Sequence, residues 1–373
     1  KIMHDIYISG TGHWKAAHQT TNEEIVASFN DYVRLYNIEH EEAILAGSKE
    51  ALGPSSVEFI EKASGIKTRY LIDKKNSLDT NVMKPILSQE NPGKVSILAE
   101  MSIHAAKEAL DQAGIKAADV DAVILGTSHT SRNYPAIACE VMDELGIEGY
   151  GYDMLIGCSS TTFAISNAYS DIASGLADTV LVVNPELTSP HNDFTLRDSH
   201  FIFGDACVAT VVQRDSKSDK RAKIIDRKLV TKFSNNIRSD FGYLNRVEEP
   251  AKEKKDLFFK QNGKSVFKEV CPMVASLIMD QLVRLDIKVS DISQFWLHQA
   301  NANMCRVIMT RILGTSDYDP DIAPMILGEF GNVASAGSVL SYHLNNKLQQ
   351  GNKGIICSFG AGYSICSLVI ERA

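Results

Sequence analysis

GYDMLIGCSSTTFAISNAYSDIASGLADTVLVV, residues 151–183, is the stretch whose reading decides the fold. Tyr152 to Ile156 is apolar and short enough for a buried strand, and Gly157 permits a tight turn. Ile165, Ala168, Ile172 and Leu176 then recur at helical spacing, and Val180 to Asn184 returns as a strand. Cys158 therefore falls at a helix start. Unsatisfied N–H groups and the positive end of the helix dipole favour a thiolate there, so a lowered pKa and a nucleophilic sulfur are expected. Ser159, Ser160 and Thr161 leave room for a substrate. The competing reading is an inert structural cysteine, because free cysteine is among the most buried residue types.

Composition narrows the classes. The chain has 373 residues, enough for two domains or two fused halves, and 44% apolar with 23% charged residues is ordinary for a globular protein. A net charge of −8 argues against nonspecific nucleic-acid binding. Seven cysteines without CxxC spacing suit a reducing cytoplasm better than a disulfide framework. No apolar run of about 18 residues and no signal-peptide pattern is present, so a cytoplasmic protein without a membrane partner is expected. The histidines are dispersed, which gives no expectation of a metal site. Gly10-Thr11-Gly12 lacks the third glycine of a nucleotide loop.

Upstream of the opening stretch, Ile6 to Gly12 reads as a first strand and Thr21 to Tyr36 as a capped helix. Ser56 to Ser64 reads as a short helix leading to an exposed basic strand, GIKTRYLI, and Ser77 to Gly93 as a surface excursion. Ile97 to Gly114 is helical, AADVDAVILGTS gives a turn and a buried strand, and Tyr134 to Leu145 is the next helix. Downstream, a loop with Pro185 and Pro190 precedes the strand-like Phe201 to Gln213. The charge run Arg214 to Lys223 is the candidate linker, dividing 1–217 from 218–373. The second part offers a helix at Val266 to Leu285, a strand at Gln294 to Leu297 ending on His298, and helices at Asn303 to Leu313 and Ser335 to Leu348. Two apolar strands joined by Gly360-Ala361-Gly362 close the chain.

The chain also repeats itself. Gly114 to Gly126 (GIKAADVDAVILG) and Asp286 to His298 (DIKVSDISQFWLH) match at an offset of 172, with Ile115/Ile287, Lys116/Lys288, Asp119/Asp291 and Leu125/Leu297 in register. The same offset carries Cys158 to within two residues of Asn332, placing the two turns opposite each other across a pseudo-twofold axis.

Cys158, His298 in HQANANM and Asn332 in GNVASAGS thus arrive from separate places. Singly, His298 reads as a satisfied core histidine and Asn332 as a helix cap. Together, a cysteine after DxxxxC, HQAN, and GN before small residues resemble the active-site motifs of the β-ketoacyl-acyl carrier protein synthase III family within the thiolase-like superfamily. Gly65-Ile66, Tyr134-Pro135, Phe203-Gly204-Asp205, Val266-Phe267-Lys268 and Phe359-Gly360-Ala361-Gly362 extend the resemblance over nearly the whole chain. It implies an α/β thiolase-like fold, in which two duplicated halves form a five-layered αβαβα core.

The activity so implied is a two-step Claisen condensation. Cys158 takes an acyl group from acyl-coenzyme A; malonyl-acyl carrier protein then loses carbon dioxide and its enolate attacks the Cys158 thioester. His298 and Asn332 would donate hydrogen bonds to the malonyl thioester oxygen, and the backbone N–H groups of Cys158 and Ala361 would form the oxyanion hole of acyl transfer. Arg197 and Asn301 match coenzyme A and pantetheine contacts, and Phe203 and Phe359 fall in substrate-binding motifs. Tyr134 corresponds to a gating phenylalanine donated across a homodimer interface. No cofactor is implied, since coenzyme A arrives as part of the substrate. Lys268, Arg306 and Arg311 form a candidate docking patch for the acidic carrier protein.

Departures are equally informative. Ala361 replaces a family glycine, and Phe59 and Ala63 stand where the family holds coenzyme A with tryptophan and arginine, leaving Lys62 or Lys67 to substitute. Extra residues between Asn22 and Phe59 and near Ser77 to Val95, with GYGYDM and DSHFIFGDA, are similar to a divergent subset that accepts primers such as octanoyl-coenzyme A. A degradative thiolase needs a second cysteine where Ser358 stands, and Cys357 would face the other side of its strand. A non-decarboxylating acyltransferase or thioesterase, a secondary-metabolite condensing enzyme and a noncatalytic partner subunit are the other readings weighed.

Overall fold

The computed structural model describes residues 4–373. In the first part of the chain the strands are β1 (Ile6–Lys15), β2 (His18–Thr21), β3 (Thr68–Leu71), β4 (Ala122–Gly126), β5 (Tyr150–Met154), β6 (Thr179–Glu186) and β7 (Ala206–Arg214). Its helices are α1 (Asn22–Glu39), α2 (Glu41–Leu45), α3 (Val57–Ser64), α4 (Lys74–Leu78), α5 (Ile97–Ala113), α6 (Ile137–Leu145) and α7 (Ser160–Ser174). There follow β8 (Ala222–Ser234), β9 (Ile237–Arg238), β10 (Lys260–Gln261), β11 (Ile292–Leu297), β12 (Lys353–Gly360) and β13 (Gly362–Arg372). The helices of this part are α8 (Gly263–Arg284), α9 (Ala302–Leu313), α10 (Leu327–Phe330) and α11 (Gly337–Asn345).

Strand order carries the duplication. One nine-stranded sheet runs β11-β12-β13-β8-β1-β7-β6-β4-β5, and β1 meets β8 through a short antiparallel join, Tyr7 opposite Lys223 and Ile8 opposite Ala222. Moving outward from that join, each part presents its first strand, then its last, then the one before it. Residues 215–221 connect β7 to β8.

Alternation along the strands produces the layers. Val180 and Val182 of β6 and Leu368 and Ile370 of β13 point into one shared core with Ala164, Ile165 and Ala168 of α7 and Val339 and Leu340 of α11. The opposite faces differ: Leu181 and Val183 pack under α5 and α6, whereas Ile365 and Val369 pack under α8 and α9. Helices α7 and α11 therefore lie between the two parts of the sheet, giving the αβαβα succession. Gly10 and Gly12 of β1 let α5 approach, since a methyl at either would come within 2.3 Å or less of an α5 carbonyl oxygen.

The repeat is visible in backbone detail. Gly114 and Asp286 both adopt positive φ, 70° and 54°, and a 3-10 turn follows each at Ala117–Asp119 and Val289–Asp291. The Lys116 and Lys288 amides donate to Asp119 and Asp291 at 2.8 and 3.1 Å. The equivalence of Cys158 is shifted, however. Its turn, Gly157–Ser159, corresponds to Ala334–Ala336, with φ of 55° at Gly157 and 47° at Ala334, so its counterpart is Ser335 and Asn332 lies three residues earlier.

Several local expectations are corrected. GIKTRYLI is not an exposed strand: Arg69 is fully buried, donating to Thr20 O, Asn22 Oδ1 and Phe201 O. Strand β5 is only half-buried because it is the sheet edge, and Leu155 beyond it is exposed. Helix α6 starts at Ile137, not Tyr134, because Asp153 accepts the Ile137 and Ala138 amides at 2.8 and 2.9 Å and so caps it. Pro185 belongs to β6, beyond the Val183 pairing with β4 and opposite Cys207 of β7, and the Asn184 side chain donates to Gly126 O of β4 at 2.8 Å. The strand expected from Phe201 begins at Ala206, and the last helix ends at Asn345 rather than Leu348.

Candidate active site

Small polar side chains build the Cys158 turn. Ser160 Oγ accepts the Ile156 amide at 2.9 Å and donates to Thr127 O, and Ser159 Oγ donates to Ser364 O at 2.6 Å. The turn is pinned against the β12–β13 connection: a Cβ on Gly157 would lie 3.2 Å from the Ala361 Cβ and 3.9 Å from its nitrogen. Ala361 thus faces the turn.

The thiol itself behaves differently from expectation. Burial pushes it up from 9.0 to about 12, the Glu186 carboxylate adds to the rise, and the backbone N–H opposes it. A helix dipole contributes about 0.3 to 1 kcal/mol, under one pKa unit, so burial prevails.

His298 follows β11, its amide bonded to Cys357 O at 2.8 Å, and its ring stands edge-on to Phe359 at 5.3 Å. Burial lowers its pKa to about 4, only partly opposed by the Ala334 backbone, so the imidazole is neutral. Asn332 bridges Phe203 through the backbone, and its Oδ1 accepts the Ala334 amide at 2.9 Å. That bond orients the amide with Nδ2 as the free donor. Two neutral donors therefore stand at the end of β11 and just ahead of α11, the helix equivalent to the one that follows Cys158. Ser358 Oγ pairs with Ser338 Oγ at 2.7 Å, while Cys357 is buried in the outer core, so no second cysteine reaches the thiolase position.

Glu186, Ser335 and Ser128 are functional neighbours that the sequence reading missed. Glu186 ends β6 fully buried and accepts from Ser335 N, Ser335 Oγ, Ser128 N and Ser128 Oγ; burial raises it to about 7. The repeat could have found Ser335, had the turns been aligned on their positive-φ residues.

A cavity of about 560 Å³ leads from the surface to Asn332, lined by Phe59, Ala63, Phe201, Asn301 and Met304. The Arg197 guanidinium stacks 3.9 Å over Phe59 and donates to Pro54 O at 2.7 Å. Asn301 caps α9, accepting from Asn303 and Met304 amides, and donates to Ala63 O at 2.6 Å. Lys260 and Lys264, which the sequence reading passed over, line the same cavity, whereas Lys62 and Lys67 do not. Lys268, Arg306 and Arg311 are exposed on α8 and α9, which pack together. Phe203 packs edge-on against Phe259 at 5.0 Å. Tyr134 is 84% exposed. A second cavity, about 1610 Å³, has Ile86, Leu87, Ser128, Leu155, Leu187 and Phe241 in its walls. Among the described residues no helix is long and apolar enough to cross a membrane.

A part-buried cysteine at a helix start, a neutral histidine and an asparagine amide, arranged on a duplicated αβαβα core, define a condensing acyltransferase of the thiolase-like class. The model of 3-oxoacyl-[acyl-carrier-protein] synthase III matches residues 152–232, and its C-terminal model matches residues 282–372. The β-ketodecanoyl-[acyl-carrier-protein] synthase of Pseudomonas aeruginosa is 49% identical over 348 residues, 92% of this chain and 99% of that protein. The β-ketoacyl-[acyl-carrier-protein] synthase III of Clostridium perfringens (strain ATCC 13124) is 26% identical, over 85% of this chain and 91% of that protein. The chain belongs to the β-ketoacyl-[acyl-carrier-protein] synthase III family. Its fold is that of the Aquifex aeolicus synthase III, at 21% identity and a TM-score of 0.76, covering 98% of this chain and 99% of that one.

Proposed function

We propose that this chain condenses a medium-chain acyl primer with malonyl-acyl carrier protein, forming a 3-oxoacyl-acyl carrier protein two carbons longer. The observation that carries the chain length is the 49% identity, end to end, to a β-ketodecanoyl synthase, against 26% to an ordinary synthase III. An eight-carbon primer carried by coenzyme A is the corresponding substrate.

The Cys158 sulfur attacks the thioester carbonyl and coenzyme A leaves, taking the thiol proton. The N–H groups of Cys158 and Ala361 hold the oxyanion as it forms. Malonyl-acyl carrier protein next loses carbon dioxide, and the electron pair of the broken bond passes into an enolate. His298 and Asn332 donate to its oxygen; being uncharged, they stabilise developing charge without a proton changing place. The enolate carbon then attacks the acyl carbon and returns the sulfur as thiolate. Dividing one hard step through a covalent thioester is the reason for a cysteine here.

Coenzyme A enters by the 560 Å³ cavity, with Arg197 and Phe59 at its adenine end and Asn301 along the pantetheine. Phe203 and Phe359 shape the inner end. The exposed Tyr134 inserts into a partner protomer of a homodimer and limits its acyl pocket. Lys268, Arg306 and Arg311, with Lys264 nearby on α8, receive the carrier protein. Apolar walls at Leu155 and Leu187 in the larger cavity support space for a long acyl chain.

Intact-mass measurement after incubation with acyl-coenzyme A esters of graded length tests this. One acyl adduct, greatest with the eight-carbon ester and absent in Cys158→Ala, is expected; malonyl-acyl carrier protein then clears it with carbon dioxide release. No adduct, or one that persists in Cys158→Ala, defeats the mechanism. Clearance by hydrolysis alone identifies a thioesterase.

A further inference from the structure

Away from the thiol, three side chains distant in sequence converge: His13 on β1, Glu108 on α5 and His343 on α11. His13 Nδ1 lies 3.1 Å from Glu108 Oε2 and 3.1 Å from His343 Nε2, and His343 Nε2 lies 3.1 Å from Glu108 Oε1. In a tetrahedral site zinc binds imidazole nitrogen and carboxylate oxygen at about 2.0 to 2.2 Å, which separates neighbouring ligand atoms by about 3.3 to 3.6 Å. The observed triangle, 3.1 Å on each side, is slightly tighter and would open by a few tenths of an ångström around an ion.

Hydrogen bonds behind the triangle hold the His343 ring. Gln112 Oε1 accepts the Thr11 amide at 2.9 Å and the Thr11 hydroxyl at 3.2 Å. Thr11 Oγ also pairs with His343 Nδ1 at 2.8 Å, the role of each atom following the ring's tautomer. In the tautomer with the proton on Nδ1, His343 Nε2 presents its lone pair to the centre of the triangle, which is the form a metal ion selects. Such a second partner on the far ring nitrogen is the usual way a protein orients a metal-bound histidine.

We propose that His13, Glu108 and His343 bind one divalent transition metal of the zinc class, with water completing the coordination on the Glu108 side. Glu108 is 44% exposed and His343 only 7%, so the ion has an entry path and a buried anchor. The bound ion ties β1 and α5 of the first part of the chain to α11 of the second. The reactive thiol takes no part.

Zinc titration of chelator-treated Cys158→Ser protein against a chromophoric chelator tests the site without interference from that sulfur. One equivalent bound more tightly than about 10 μM is expected, with a raised Tm. His13→Gln and Glu108→Gln, both at part-exposed positions, abolish binding while leaving the metal-free Tm near that of the parent. Thr11→Val, which removes only the orienting hydroxyl, weakens it by about 10- to 100-fold. Cobalt in place of zinc gives visible d–d bands without the near-ultraviolet band of a thiolate ligand. No stoichiometric binding, binding untouched by the His13 and Glu108 variants, or a thiolate band each overturns the proposal.

Discussion

Gly360 leaves no room beside Cys158: a methyl group built on its Cα would lie 2.6 Å from the cysteine Cβ and 3.2 Å from Sγ. The end of β12 therefore sets the position of the nucleophile. Gly360→Ala is expected to fold, because the clash is confined to one turn, but to lose acylation by more than about 100-fold through misplacement of the sulfur. Intact-mass timing of adduct formation measures it. An acylation rate within threefold of the parent rejects this role for Gly360.

His298 and Asn332 serve the second half of the reaction. His298→Ala and Asn332→Ala should each cut condensation by about 100- to 1000-fold, the usual cost of one oxyanion donor. Acylation of Cys158 should remain near the parent rate in both, since neither side chain forms the Cys158 and Ala361 oxyanion hole. Separate single-turnover assays, one for adduct formation and one for carbon dioxide release, give the split. Equal loss of both steps in His298→Ala makes His298 the base for the thiol instead.

The opening stretch made the strand, turn and helix legible because buried apolar spacing and Gly157 are local signals. The repeat was legible for the same reason: turn chemistry at Gly114 and Asp286 recurs in the residues themselves. What the sequence withheld depends on environment. Arg69 reads as a surface charge until Thr20, Asn22 and Phe201 are seen around it. For Cys158 the spacing shows the helix start but not the burial and the Glu186 carboxylate that push its thiol up. His13, Glu108 and His343 look dispersed because they are joined only by packing between β1, α5 and α11.

Acid should destabilise the fold through a histidine pair beside the larger cavity. The rings of His129 and His191 lie 3.8 Å apart, and burial lowers their pKa values to about 4 and about 3. Unfolded, both would titrate near 6.5, so between that pH and about 4 the unfolded state binds more protons. Their contribution is complete above pH 6.5 and is lost as the pH falls, by at most roughly 2 kcal/mol per ring at pH 5. Glu186, raised to about 7, works in the opposite direction over part of this range. The comparison therefore needs a variant: His129→Gln with His191→Gln should flatten the fall in Tm between pH 7.5 and 5. Parallel curves for parent and variant remove the pair from the account.

Glu186 offers the sharpest test of what governs the thiol. Its carboxylate raises the Cys158 pKa, and above pH 8 it is ionised throughout the cysteine's titration. Glu186→Gln keeps an oxygen for Ser335 and Ser128 but removes the charge. The thiolate fraction at a fixed pH should then rise, by about tenfold for each pKa unit recovered. Iodoacetamide alkylation of Cys158 between pH 7 and 10, followed by mass, reads this directly. In the parent the rate should still be climbing at pH 10, because burial outweighs the helix dipole; a plateau below pH 8 would show that the dipole prevails. In Glu186→Gln the whole profile should move to lower pH, and an unmoved profile means that the buried carboxylate holds the Ser335 turn without acting on the sulfur.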